Sequence, residues 1–326
     1  MKSWSLEERT AMADRLRSGE PIHLHVDSMT TRGHRMTRNL RIDEVVPLVA
    51  SLTSDDPAFV RGFHEFRAPM AAPGCDASVT AVIPCSRDRP LGVSSLLDQD
   101  VDVEVLILSN GAGPTAVSGA RVQRVTWNGH GATRAEALQW VDSEYVFFTV
   151  DDAIPLGQGC IRTLVEVLND GDWDAVVARQ VPWPDSDAVT AARLRRWTPP
   201  GVRVMTMNQT DHVATLFRTA TLREFPIPHV PIAEDAWWSR GRRIGYVPMA
   251  PVLHSHRRRP LDLYRRNRDI HAQLVAMGRN PTVPNLSSAV AALPGVVRPT
   301  LAGGGRELIN QLAELAGQWR GAVIGR

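Results

Sequence analysis

What this chain has little of narrows its function first. Lys2 is its one lysine, so the rest of its 37 basic side chains are arginines. Its three cysteines, Cys75, Cys85 and Cys160, are odd in number and widely scattered, which argues against a disulfide framework and a cysteine zinc cluster. No apolar run approaches the roughly 20 residues that a membrane span needs. The opening MKSWSLEERTAMADRLRSGE lacks the apolar core of a signal peptide. Excess charge of one sign is also missing: 37 basic against 35 acidic residues give a formal net charge of +2. That excludes a nucleic-acid protein built on bulk charge. What remains is ordinary globular composition, 326 residues with 43% hydrophobic and 22% charged, enough for one large domain or two modest ones. The expectation is a soluble cytoplasmic enzyme. The arginine bias has two readings, a genome rich in G and C, or guanidinium groups that grip phosphates in the bidentate way lysine cannot.

Along the chain, Ser5 and Glu8 form a capping box before a predicted helix from Leu6 to Arg17. Ile22 to Val26 alternates as a strand does, and Ile42 to Leu52 suits a short helix or a strand. The small-residue stretch AAPGCDAS, Ala71 to Ser78, marks a boundary, giving an N-terminal α/β extension over residues 1–75. Strands and helices then alternate. Strands are predicted at Val79–Ile83, Val103–Leu108, Val122–Thr126, Tyr145–Val150 and Ala175–Ala178, and helices over Leu91–Leu97, His130–Val141 and Ile161–Leu168. This is the pattern of an α/β fold with a mostly parallel, Rossmann-like sheet flanked by helices. Right-handed crossovers would bring Pro84, Asn110 and Asp151 to one edge, where such sheets bind ligands. Pro182 to Thr210 reads as a long loop over that edge. Residues 257–326 read as a helical C-terminal region. It has an arginine-rich helix from Pro260 to Met277 and an amphipathic one from Arg306 to Ile324, with Leu308, Leu312, Leu315 and Val323 on one side. The basic patch, Arg257 to Arg259 with Arg265, Arg266 and Arg268, is a solvated face, a diphosphate contact or a surface for anionic lipid.

Asp151-Asp152 follow an apolar strand with no base beside them. Carboxylates at a sheet's carboxyl edge suit a divalent cation, although either could simply cap the next helix. Farther on, Glu234-Asp235 supply a second acidic pair, and His254 and His256 would share a face of an extended strand. Trp237 and Trp238 follow the second pair and suit either a sugar-stacking surface or the core.

Five segments in order, VTAVIPCSRDRP, VEVLILSNGA, HGATRAEALQWV, EYVFFTVDDAIPLG and AEDAWWSRGRRIGYVPMAPVLHSH, resemble the glycosyltransferase family 2 proteins, whose nucleotide-sugar-binding fold is called GT-A. The resemblance runs from about Val79 to His256 and implies a catalytic domain over residues 76–256. It implies a metal-dependent, inverting transfer of a hexose from a nucleoside-diphosphate sugar to an acceptor hydroxyl. By the same resemblance, Asp152 binds Mn²⁺ or Mg²⁺, with Asp151 sharing the metal or contacting ribose. His254 is a further metal ligand and Arg134 holds the nucleotide. Asn110, Pro84, Cys85 and Arg87 surround the base. Asp235 is the general base, with Glu234 a less favoured substitute. The chemistry asks for the same parts: a base near a weakly acidic nucleophile, and positive charge beside the departing diphosphate.

Three departures from the pattern stand out. Ala153 replaces a further aspartate, so the metal site is one carboxylate poorer. Ser109-Asn110 replaces an acidic pair, which leaves dTDP- and GDP-sugars open beside the favoured UDP-sugar. Arg87 stands where an aromatic is frequent, and its guanidinium can stack on a base in the same way. The alternatives are a nucleotidyltransferase of the same general architecture, disfavoured by the loop PCSRDRP, and a non-catalytic nucleotide-sugar-binding protein. The acceptor is unknown, with polysaccharide and antibiotic pathways both open. Peripheral membrane contact and a homo-oligomer also stay open.

Overall fold

The structure, a computed structural model, describes residues 22–24, 38–40, 75–182, 188–256, 259–278 and 305–325. The expected elements at Leu6–Arg17 and Ile42–Leu52 lie outside these. The chain forms two compact units. One holds residues 1–185 and 194–255, the other residues 186–193 and 256–326.

In the first unit, β1 (Ile22–Leu24) and β2 (Arg38–Leu40) pair antiparallel as a two-stranded ladder. The main sheet begins with β3 (Ser78–Cys85), α1 (Val93–Leu97), β4 (Asp102–Ser109) and β5 (Ala120–Arg124). Next come α2 (His130–Ala137), β6 (Tyr145–Thr149), β7 (Ile154–Pro155), α3 (Cys160–Asp170) and β8 (Ala175–Val181). α4 (Ala188–Trp197) bridges the division between the units, followed by β9 (Met205–Met207), β10 (Ala214–Arg218), α5 (Thr219–Glu224), α6 (Glu234–Trp238) and β11 (Ile244–Leu253). The sheet order is β5-β4-β3-β6-β10-β8-β11-β7, with β9 also against β11.

The sequence-predicted strands are all present, and the sheet is mostly parallel as expected, with antiparallel members that local patterns did not show. β3, β4, β5 and β6 pair parallel, as do β8 and β11. β10 is wedged antiparallel between β6 and β8. Two antiparallel pairings in succession restore the original direction, so β3, β4, β5, β6, β8 and β11 all end at the same edge. β10 runs the other way and therefore begins there. The expected loop at Pro182–Thr210 contains α4 and β9. Its segment AVTAARLRRW is rich in helix formers and stops at Pro199-Pro200, where a helix cannot continue.

The strands read as continuous apolar runs because both sheet faces are covered. Ala81, Ile83, Val105, Ile107 and Phe147 turn toward Ile161, Leu164, Val165 and Leu168 of α3. Val82, Leu106, Leu108, Val146 and Phe148 turn the other way, toward Ala137, Leu222 and Trp238. The spacing of the α3 residues is one helical stripe, and each such side chain contributes about 1.5–3 kcal/mol relative to exposure.

In the second unit, α7 (Pro260–Ala276) packs along α8 (Gly305–Ile324). The face of α8 that meets α7 carries glycine. A methyl at Gly317 or Gly321 would collide with the carbonyls of Tyr264 and Arg268. Small residues one turn apart let two helix backbones approach closely. Leu312, Leu315 and Val323, the apolar side read from the sequence, are exposed in the single chain. Among the described residues no helix is long and apolar enough to cross a membrane.

Candidate active site at the carboxyl edge of the sheet

Strand direction explains why residues distant in sequence meet. Cys85 ends β3, Ser109 ends β4, Asp151-Asp152 follow β6, Gln180 lies near the end of β8 and His254 follows β11. Asp211 and His212 precede β10, whose inverted direction brings its start to the same edge.

Asp152 is buried, and its Oδ1 lies 3.6 Å from His254 Nε2. Arg87 reaches over this pair of acids. Its Nε is 3.6 Å from Asp151 Oδ2 and its Nη2 is 3.5 Å from Asp152 Oδ2, and the side chain stays 40% exposed. The Ala153 methyl points into the core, with the Asp151 and Ala153 backbones bracing the Leu91-Gly92 turn. An aspartate at 153 would bury a carboxylate among apolar side chains, which accounts for its absence.

The donor set fits a divalent cation. A carboxylate oxygen and an imidazole nitrogen face each other, and the buried amide of Gln180 lies against the other imidazole nitrogen. Gln180 Nε2 donates to Asp211 Oδ2 at 2.5 Å, so its Oε1 faces His254 Nδ1 at 2.8 Å. An acceptor there requires hydrogen on Nδ1, which leaves the Nε2 lone pair toward Asp152 in the neutral ring. Nothing in the sequence motifs pointed to Gln180. The available signal was a pair of polar residues, Arg179-Gln180, near the end of an otherwise apolar strand.

Around β3 and β4 the loops are tied together. Asn110 donates from its backbone and from Nδ2 to the Cys85 carbonyl, at 2.9 and 3.3 Å. Its side-chain donor is thereby engaged within the fold. Pro84 is the half-buried penultimate residue of β3. Cys85 Sγ–H donates to the Arg87 carbonyl at 3.2 Å, and burial pushes this thiol up to about 11, so it stays protonated. Arg124 orders the turn, donating to Ser109 Oγ and to the carbonyls of Gly111 and Gly113.

The second acidic pair opens α6. Glu234 is buried with Arg134, their Oε1 and Nη1 2.8 Å apart, and His212 Nδ1 lies 3.3 Å from the same oxygen. Arg134 is thus directed into the protein, 4% exposed, with Nη2 also donating to the His212 carbonyl. Burial alone would raise Glu234, but the His212 hydrogen bond and the Arg134 charge outweigh it and hold the carboxyl well below its ordinary value. Asp235 goes the other way. Burial first, then the charges of Glu234 and Asp211, push it up to about 7. Ahead of both, Ala233 sits at φ 62°, ψ 27°, the only non-glycine positive φ among the described residues. A left-handed alanine costs about 1 kcal/mol.

The tryptophan pair divides. Trp238 is 1% exposed and donates to the Phe225 carbonyl, whereas Trp237 is 39% exposed.

No protein-family model matches the chain. It is similar to the O-antigen chain rhamnosyltransferase WbaN of Salmonella anatum, 28% identical over 156 residues, covering 42% of this chain and 49% of WbaN. The chain therefore spans about half the length of that curated relative. Among solved structures it is similar to S. aureus TarS in complex with UDP-GlcNAc, at 13% identity and a TM-score of 0.38, over 74% of this chain and 89% of that one. It is similar also to the mannosyltransferase PcManGT of Pyrobaculum calidifontis in complex with GDP-Man and Mn²⁺, at 16% identity and a TM-score of 0.46, over 94% and 85%. The main sheet of this chain is mixed and is covered by helices on both faces.

Proposed function

We propose that the chain is a metal-dependent, inverting glycosyltransferase that moves a hexose-type sugar from a nucleoside-diphosphate donor to an acceptor hydroxyl. The observation that carries this is the Asp152 carboxylate held 3.6 Å from His254 Nε2 at the sheet edge where the acids gather. The sequence likeness to a rhamnosyltransferase supports sugar transfer. A cation bound by Asp152 and His254, with Asp151 as a further ligand, would neutralise charge on the departing diphosphate. The mixed oxygen and nitrogen set suits Mn²⁺ better than the harder Mg²⁺.

In this reading Asp235 takes the proton of the acceptor hydroxyl as its oxygen attacks the anomeric carbon opposite the leaving group. A base poised near neutrality is suited to that transfer. Arg87, half exposed beside the two acids, is available to the diphosphate or the base, with Pro84, Cys85 and Asn110 shaping the pocket wall. Arg134, expected to hold the nucleotide, is instead buried against Glu234 and keeps that carboxylate ionised beside Asp235. Trp237 offers an exposed face to an acceptor sugar. UDP-sugars are the favoured donors, followed by dTDP- and GDP-sugars, and the setting is cytoplasmic.

The experiment is a panel of nucleoside-diphosphate sugars with and without Mn²⁺, read by release of the nucleoside diphosphate. Metal-dependent turnover of one donor is expected. Pyrophosphate release from a nucleoside triphosphate would instead establish a nucleotidyltransferase. Tight nucleotide binding with no turnover, with or without acceptors, would establish a binding protein.

A further inference from the structure

Beyond the ligands and the base, one buried side chain joins His254 to Asp211. Gln180 is 3% exposed and lies on β8, with its Cα in register with Val252 of β11, two residues before His254. Its surroundings are fixed on every side. The His254 amide donates to the Val181 carbonyl at 2.8 Å, and Thr198 Oγ1 donates to the Gln180 carbonyl at 3.1 Å. The side-chain amide then spans from His254 Nδ1, at 2.8 Å, to Asp211 Oδ2, at 2.5 Å. Asp211 is itself anchored by the Val213 amide on Oδ1 and lies among the charges that act on Asp235.

The orientation of this amide is not free. A carboxylate oxygen only accepts, so the nitrogen of Gln180 must face Asp211 and its oxygen must face His254. A flipped amide would set oxygen against oxygen on one side and force His254 onto the other tautomer. That tautomer would carry hydrogen on Nε2 and could not offer a lone pair to a cation held by Asp152. We propose that Gln180 is a positioning residue: its amide fixes His254 in the Nδ1–H form and ties it to Asp211, so that one buried linkage sets both the cation ligand and the neighbourhood of the base. The consequence for metal rests on Asp152 and His254 being the ligands, as proposed above. The tautomer does not.

The test has two readouts on the full chain without nucleotide. The first is the ring ¹⁵N pattern of His254, assigned by its loss in H254N. Wild type is expected to show hydrogen on Nδ1, and Q180M a mixture or the opposite form. The second is Mn²⁺ affinity from the free-ion electron paramagnetic resonance signal. Q180M is expected to weaken binding about 10- to 100-fold, the usual effect of removing a hydrogen-bond partner behind a ligating histidine. An exchange variant, Q180E/D211N, keeps the linkage with donor and acceptor reversed: the introduced amide donates to the introduced carboxylate, whose other oxygen accepts from His254. It is expected to return the wild-type tautomer and an affinity within about threefold of wild type if the linkage is what matters.

Unchanged tautomer and affinity in Q180M would overturn the proposal. So would a folded Q180E/D211N that fails to recover either readout. If Q180M does not fold, the exchange variant decides. Should wild type bind no Mn²⁺, the metal reading falls, and the tautomer comparison alone decides the role of Gln180.

Discussion

Two pairs of adjacent acids sit in this molecule, and the fold treats them differently. Asp151-Asp152 follow β6 and meet a half-exposed arginine, Arg87, at 3.5 and 3.6 Å, with His254 on the inner side. Glu234-Asp235 open α6 and meet a fully enclosed arginine, Arg134, at 2.8 Å. In the second pair the buried cation and His212 favour the charge on Glu234, and that charge in turn disfavours ionisation of Asp235. A shared dipeptide chemistry thus becomes one cation-facing pair and one pair with sharply separated proton affinities. What surrounds an acidic pair, not its composition, decides which task it suits.

The largest expected effects come from deleting one acid of each pair. D152A and D235N should each reduce donor turnover by about 10²- to 10⁴-fold. D152A should also abolish Mn²⁺ binding, which D235N should leave intact. Equal loss of Mn²⁺ in both would dissolve the distinction between the pairs.

Next in size is the contrast between the two arginines. R134M strands a buried carboxylate and should destabilise the fold by about 3–5 kcal/mol. R87A breaks a half-exposed contact and should cost at most about 1 kcal/mol. Urea denaturation measures both. Similar losses would mean that Arg134 is no more structural than Arg87.

The pH dependence sharpens the comparison further. Asp235 rises from 3.8 unfolded to about 7 folded, so the folded state holds its proton more tightly. Its stabilising contribution is complete below 3.8 and is lost as pH rises through 7. Donor turnover, which needs the ionised base, should climb over that same range. Glu234 is shifted downward, so its contribution is present above its unfolded value of 4.5 and lost as pH falls. The stability difference between wild type and D235N should therefore change between about pH 4 and 7 and level off above it. A flat difference there would remove the perturbed carboxyl.

The smallest effect is at the turn that presents the second pair. A233G relieves the left-handed alanine and should change stability by no more than about 1 kcal/mol, in the stabilising direction unless unfolded-state entropy cancels it. A large loss would show that the Ala233 methyl is needed for packing.

Much of this was legible in the residues. The apolar runs at Val79, Val103 and Tyr145 announced buried strands, because a strand covered on both faces has no polar side to show. The acids and His254 stood out as charged or ligating groups at strand ends. The face of α8 that meets α7 was not legible, because Leu312, Leu315 and Val323 carry a stronger apolar signal than a glycine stripe, whose value is close backbone approach.

By itself the sequence determined the α/β pattern, the strand tips and the chemical inventory of the carboxyl edge. These follow from local periodicity and residue type. Only the tertiary structure decided that β10 runs inverted between β6 and β8, which brings Asp211 to the edge. It also decided that Arg134 turns inward to Glu234, and that Gln180 stands between His254 and Asp211. Such partnerships join residues dozens of positions apart, and no local pattern encodes them. The reason is electrostatic: a buried polar group must find its complement wherever the fold brings one within reach.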